Sequence, residues 1–243
     1  MKDGDKVRVM SCYTEEMSMR RALNQDFFKK WSPEMAYVLG FFAADGSMIR
    51  NKRGGHFIEF TIIDRVVLEV IRSTIGSTHK IKTRERNKGV WKTQYRLQIG
   101  SKEWFADLVK LGFTPSKSNT VHFPSVPRRC LGDFVRGYFD GDGCVYFRKH
   151  YVKERNKKIW VFTTLFTCGS RSFLEDLHVI LLGSGIKGGH ISKKNRGYDL
   201  VFSRHDSLAL YRLMYHTGKV TDMFLPRKRK KLEKAIKILE LDK

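Results

Sequence analysis

The chain has 243 residues, 41% of them hydrophobic and 12% aromatic, enough apolar material for one large domain or two small ones; this excludes a disordered basic tail. Its 47 Lys and Arg against 25 Asp and Glu leave a formal charge of +22, a self-repulsion that a polyanion relieves, so nucleic acid is the expected partner class. Cys12, Cys130, Cys144 and Cys168 have no CxxC spacing and no histidines clustered with them, and the longest apolar run, Met35 to Ala44, is too short to span a bilayer. A zinc site and a membrane span are therefore excluded, and the charged start "MKDGDKVRVM" lacks the apolar core of a signal peptide. A soluble intracellular chain with reduced thiols, not secreted, is expected.

Residues 1–31 match nothing later in the chain and are read as an N-terminal extension. A helix is predicted next, with Ser32 as its cap, Pro33 in its first position and Glu34 near its positive end. It runs through "VLGFFAA" to about Ala44, and Asp45-Gly46 ends it. There follow a ribbon over 47–61, an apolar helix ("LEVIRSTIG"), a long basic hairpin and a second helix ("SKEWFADLVKLG"), which close a first half at residue 113. Pro115, Pro124 and Pro127 mark a linker over 114–131.

Residues 132–243 repeat the order. "VRGYFDGDG" answers "VLGFFAADG", "LEDLHVILLG" answers the first apolar helix, and "HDSLALYRLMYHTG" answers the second. A closing helix begins at Pro226 in "PRKRKKLEKAIKILEL". The fold class is α+β: two pseudo-symmetric halves, each a helix, hairpin, helix, hairpin and helix.

In the hairpin "HKIKTRERNKGVWKTQYRLQIG", Lys80, Lys82, Arg84 and Arg86 alternate with Ile81, Thr83 and Glu85; beyond an Asn87-Lys88-Gly89 turn, Lys92, Gln94, Arg96 and Gln98 alternate with Thr93, Tyr95, Leu97 and Ile99. A period of two puts each set on one face, so one face carries Arg, Lys and Gln, the side chains that pair with base edges and phosphates. A two-stranded ribbon fits the major groove. Comparable ribbons are expected around Arg50, at Tyr146, Arg148 and His150, and at His190, Ser192 and Lys194.

The motif helices carry small residues at helical spacing: Ala36, Gly40 and Ala44 in one, Gly137 and Gly141 in the other. Glycine inside a helix costs about 1 kcal/mol relative to alanine, a cost that close packing of the two helices would offset. Leu39, Phe41, Phe42, Val135, Tyr138 and Phe139 then face the cores of their own halves, and Asp45 and Asp142 meet at the helix ends. Two carboxylates at close range repel unless a cation lies between them, and oxygen ligands suit Mg²⁺ with waters and phosphates completing the shell. A single Asp-Gly pair is an ordinary helix-ending turn; two at equivalent places in a duplicated basic chain point to a site. An EF-hand loop beginning at Asp140 fails for want of its third acid and closing glutamate.

Val38–Gly46 and Val135–Gly143 resemble the paired motifs of the LAGLIDADG homing endonucleases of the single-chain, double-motif kind, and the resemblance covers the chain from about Asp26 onward. It implies two αββαββα halves packed through the motif helices, with antiparallel sheets forming a saddle over double-stranded DNA. It also implies that the penultimate acids, Asp45 and Asp142, bind catalytic Mg²⁺, for which Mn²⁺ substitutes and which Ca²⁺ replaces without cleavage. The carbonyls of Ala44 and Gly141 are further metal-shell candidates, and Lys117 and Lys228 are candidates for the basic residue near each site. The implied activity is a double-strand break at a long asymmetric site with short 3′ overhangs, by a monomer. Where the second motif has Asp140 the first has Ala43, at a position that is not the metal ligand. An intron maturase acting on RNA and a non-cleaving DNA-binding regulator are the alternatives on the same fold; retention of both aspartates argues against a regulator and against a pure maturase, though not against a protein doing both jobs. The Met1 start and the "LELDK" end are read as disfavouring an intein.

Overall fold

The computed structural model describes residues 21–84, 93–115, 121–216 and 223–242. The first half contains α1 (Pro33–Asp45), β1 (Gly46–Arg50), β2 (His56–Ile62), α2 (Arg65–Thr74), β3 (Ile81–Arg84), β4 (Gln94–Gly100) and α3 (Lys102–Lys110). The second contains α4 (Leu131–Asp142), β5 (Gly143–Val152), β6 (Lys157–Cys168), α5 (Arg171–Leu182), β7 (His190–Lys194), β8 (Gly197–Phe202) and α6 (Arg204–Tyr215), followed by α7 (Pro226–Ile238). The two antiparallel sheets share one topology, β1-β2-β4-β3 and β5-β6-β8-β7, so the duplication read from the sequence is a duplication of structure. The fold is α+β. Cys130, Cys144 and Cys168 are free thiols, and among the described residues no helix is long and apolar enough to cross a membrane.

Local chemistry starts α1 where the sequence predicts, while α2 and α5 begin three residues before their predicted apolar segments. The Ser32 hydroxyl accepts the Met35 N–H at 3.1 Å with Pro33 in the first turn, and Ser101 and Ser170 cap α3 and α5 in the same way. One face of each sheet packs on helices. In the first half Phe41 and Phe42 of α1 meet Phe60 of β2, and Phe42 also meets Phe113; in the second Tyr138 and Phe139 meet Phe166. Residues 21–31, set apart as an extension in the sequence, pack against the first half: Asn24 N–H donates to Ile75 O, Trp104 Nε1 donates to Asn24 O, and the rings of Phe27 and Phe28 lie against Trp104.

Helix α1 is apolar on all sides and buried from Met35 to Ala43, as a helix enclosed by its own sheet and a partner helix must be. Its partner is α4. A Cβ added at Gly40 would lie 2.1 Å from Phe134 O, and one added at Gly137 would lie 2.0 Å from Tyr37 O, so the helices touch backbone to backbone. Further along the seam a Cβ at Gly141 would lie 2.4 Å from Ala44 Cβ. The small-residue face read from the sequence is this contact; Ala36 is fully buried on the same helix.

Glycine-to-alanine substitution on a free helix is favourable by about 1 kcal/mol. Gly40→Ala and Gly137→Ala are expected to reverse that sign and destabilise by about 1–3 kcal/mol through overpacking against an unyielding carbonyl. Urea unfolding of each variant reads the sign directly.

Candidate metal centre and nucleic-acid interface

Both motif helices pass straight into strands. Gly46 (φ −90°, ψ 157°) and Gly143 (φ −84°, ψ 155°) are extended, and their N–H groups close the helices on Phe42 O and Phe139 O. Asp-Gly is therefore not a turn here. Glycine is needed because a Cβ would lie 2.1 Å from the Phe42 ring at 46 and 2.2 Å from the Phe139 ring at 143. The last residue of each helix is the aspartate, so Asp45 and Asp142 are carried to the same end of the seam. Gly141 lets the first reach across: a Cβ there would be only 3.3 Å from Asp45 Oδ2.

Lys228, in the first turn of α7, lies against this end. Its Nζ donates to the carbonyls of Phe139 (2.6 Å), Asp140 (2.8 Å) and Gly141 (3.0 Å) in the last turn of α4, where helix polarity favours a cation. It is 6% exposed, and burial pulls its pKa down to about 8 although Asp140, Asp45 and Asp142 all favour the charged form. Lys117, the candidate for the other half, lies outside the described residues.

Beneath Lys228 is a buried polar network. Asp140 Oδ2 accepts from the Tyr37 hydroxyl of α1 and from the Leu225 N–H, both at 2.8 Å; Oδ1 is buried with no hydrogen-bond partner. Burial raises the Asp140 pKa to about 6, opposed by the Tyr37 hydrogen bond, Lys228 and the Leu225 N–H. Burial and the Asp140 charge push Tyr37 well above the usual phenol range, which keeps it a donor. Arg136, 1% exposed, donates to Asp133 Oδ1, Met214 O and Met223 O.

The donor set suits a hard divalent cation. It offers oxygen only, from two carboxylates, with carbonyls beside them; Gly141 O retains a second lone pair beyond the one facing Lys228. Among the described residues no group of three or more His, Cys, Asp or Glu side chains could hold a metal, so waters and substrate phosphates would have to complete the shell.

The face of each sheet turned away from the helices follows the predicted alternation. In the first sheet Lys82 pairs with Arg96 and Arg84 with Gln94 across β3 and β4, while Leu97 and Ile99 are buried behind; Lys80 immediately precedes β3. Arg86 and Lys92 lie outside the described residues. In the second sheet Tyr146, Arg148 and His150 share the open face of β5, with Tyr146 hydrogen-bonded to His150, and His190, Ser192 and Lys194 share that of β7.

Three side chains depart from the expected picture. Arg50 has the parity of buried Met48, not of Ser47 and Ile49. Its guanidinium therefore lies over Phe105 of α3 and its Nε donates to His56, on the helix-backed face. Glu59 and Asp199 place a carboxylate on each open face: Glu59 accepts from Gln98 at 3.2 Å and Arg96 at 3.4 Å, and Asp199 accepts from Thr167 at 2.6 Å and Lys194 at 3.0 Å. The alternation in "HFIEFTI" and "GYDLVF" could have located both acids. These faces are thus mixed in sign, and the acids fix the orientation of the basic and amide side chains around them.

Two equivalent α/β halves, joined through glycine-bearing helices that each end in a carboxylate at one seam, define a class of two-repeat protein. A family model described as "LAGLIDADG-like domain" matches residues 32–111 and 130–214, and the chain belongs to the LAGLIDADG family. It is 22% identical over 225 residues to an uncharacterized protein of Methanocaldococcus jannaschii, spanning 86% of this chain and 73% of that one. It is 33% identical over 127 residues to a probable translation initiation factor IF-2 of Thermococcus kodakarensis, spanning 50% of this chain and 9% of that one. Solved structures share the fold: the LAGLIDADG meganuclease I-AabMI bound to uncleaved DNA (TM-score 0.59, 15% identity, 87% of this chain and 91% of that one) and the LAGLIDADG homing endonuclease I-SmaMI bound to cleaved DNA (0.58, 14%, 88% and 91%).

Asp140 titrates with a definite sign. Its folded pKa, about 6, lies above the ordinary 3.8, so the stability linked to its proton is complete below about pH 4 and is lost as pH rises through 6. Without divalent cations, wild type is expected to lose on the order of 3 kcal/mol more than Asp140→Asn between pH 4 and 7. Denaturant melts at the two pH values measure the difference.

Proposed function

We propose that this chain is a site-specific endonuclease that makes a Mg²⁺-dependent break in both strands of a long, asymmetric DNA target, leaving short 3′ overhangs. One observation carries the reading: Asp45 and Asp142 are delivered by equivalent helices to one end of a seam flanked by two sheets whose open faces bear Arg, Lys, His and Gln. Support comes from the DNA-bound relatives of the same fold, among them I-SmaMI bound to uncleaved DNA in the presence of calcium ions.

Each residue has a separate task. Lys82, Arg84 and Arg96 of the first sheet, and Arg148, His150, His190 and Lys194 of the second, neutralise phosphates and read base edges. Gln94, Gln98, Tyr146 and Ser192 add neutral hydrogen-bonding groups, and Lys80, Arg86 and Lys92 extend the basic set. Because the halves have diverged, the site read is asymmetric. Asp45 and Asp142 would hold the divalent cations, with the Ala44 and Gly141 carbonyls beside them. When bound, such cations neutralise phosphate charge and lower the pKa of bound water. Lys228 holds a positive charge beside both aspartates, where negative charge builds on a scissile phosphate. One chain carries both halves of the site, so a monomer suffices.

The test is cleavage of a randomised duplex library with Mg²⁺, with Ca²⁺, and by Asp45→Asn and Asp142→Asn. Wild type is expected to cut both strands at one long motif with Mg²⁺ only. Each variant should retain binding in Ca²⁺ but lose cleavage by roughly 10²-fold or more. Binding to duplex with no cut would instead establish a regulator, and tight binding to folded intron RNA with no cut a maturase.

A further inference from the structure

Helix α7 begins against its own polarity. Its first six residues are Pro226, Arg227, Lys228, Arg229, Lys230 and Lys231, at the end of a helix that favours negative charge, and Leu225 provides no side-chain cap. Apolar burial of Leu225, Leu232, Ala235 and Ile236 docks the helix, and acceptors near its start offset the unfavourable charge. On the surface Arg227 pairs with Asp64 of the first half at 2.8 Å and Arg229 with Glu233 at 2.8 Å, pairs too exposed to fix a backbone position. Two buried groups of α4 hold the approach to the helix: Arg136, which donates to Met223 O, and, at the helix start itself, Asp140. Its carboxylate receives the Leu225 N–H, three residues before Lys228, and the Tyr37 hydroxyl from the helix of the other half. Its main-chain carbonyl, with those of Phe139 and Gly141, receives the Lys228 ammonium. One residue thus sets the start of α7 by its side chain and helps seat the working amine by its backbone. The first motif has Ala43 at the equivalent position, which supplies no side-chain acceptor.

We propose that Asp140 is a positioning residue that places the Lys228 ammonium beside Asp45 and Asp142, and that this device, built into the second half through Asp140 but not into the first at Ala43, makes the two strand cuts unequal. The second clause rests on the nuclease reading; the first does not.

The test combines two measurements on the full chain for wild type, Asp140→Asn, Asp140→Ala, Tyr37→Phe and Lys228→Met. Brief amine acetylation without DNA or metal, read by peptide mass spectrometry, compares Lys228 with exposed Lys230 and Lys231 on the same helix. Single-turnover cleavage of a duplex labelled on each strand, with affinity measured separately in Ca²⁺, gives a rate per strand. In wild type Lys228 should react at least roughly tenfold more slowly than its neighbours. Asp140→Ala should abolish that protection and slow one strand by about tenfold or more at unchanged affinity, the same strand that Lys228→Met slows. Asp140→Asn, which keeps one acceptor, and Tyr37→Phe, which removes one donor, should show the same bias at smaller size. Undiminished protection of Lys228 in Asp140→Ala, or an equal loss on both strands, would overturn the proposal. If Asp140→Ala does not fold, the same two outcomes in Asp140→Asn decide. A wild type that cuts no DNA removes the nuclease reading and with it the strand clause, while the acetylation result still settles the placement of Lys228.

Discussion

At Gly40 and Gly137 two helix backbones lie so close that a single added carbon on either would strike a carbonyl of the other. This approach determines what can surround it. Helices this close leave little flank exposed, so α1 is apolar around its whole circumference and the second motif helix buries its polar side chains, Asp133, Arg136 and Asp140. It also sets the separation of whatever the helices carry at their ends. The carboxylates of Asp45 and Asp142 are placed by the thickness of two glycine-lined helices, with no flexible loop between helix and strand to blur their positions.

The second half carries the polar cost of this arrangement. Arg136, Asp140 and Lys228 are all buried, and a buried charge is tolerated only when it is paired and hydrogen-bonded. Arg136 meets that condition with three acceptors, Lys228 with three carbonyls, and Asp140 with two donors on one oxygen. Buried ionic sets of this kind often add nothing to stability over well-packed hydrophobic residues of similar volume. The network tethers the segment 223–228 to both halves at once, through Asp140 to α4, through Tyr37 to α1 and through Arg227 to Asp64.

Much of the architecture is legible in the sequence because it rests on local patterns. Ser32 and Pro33 start a helix, small residues four apart mark a close contact, and alternation in the basic hairpin separates Leu97 and Ile99 from Arg96 and Gln98. Repetition converts two weak Asp-Gly signals into one strong one. Arg50 was legible too, since it shares the parity of Met48, but its charge suggested the wrong face. What a single sequence does not display is pairing over long separations. Tyr37 with Asp140, and Leu225 with Asp140, join residues 103 and 85 positions apart, and no local pattern announces them. Lys228 was a candidate only through the family resemblance, one basic residue among many; its seat on three carbonyls follows from the docking of α7, which only the folded chain reveals. Glu59 and Asp199 are intermediate, detectable by strand parity yet obscured by the surrounding positive charge.

The direct passage from motif helix to first strand has a mechanical consequence. Because α1 and β1 are continuous, as are α4 and β5, each half is a rigid lever whose fulcrum is the stretch where Gly40 lies on Phe134 O and Gly137 on Tyr37 O. Prying the outer rims of the sheets apart must rotate the levers and alter the gap between the two carboxylates. The spacing between the two sheets and the spacing of the two carboxylates at the end of the seam are therefore a single coordinate, set by one helix contact and not by two independent loops.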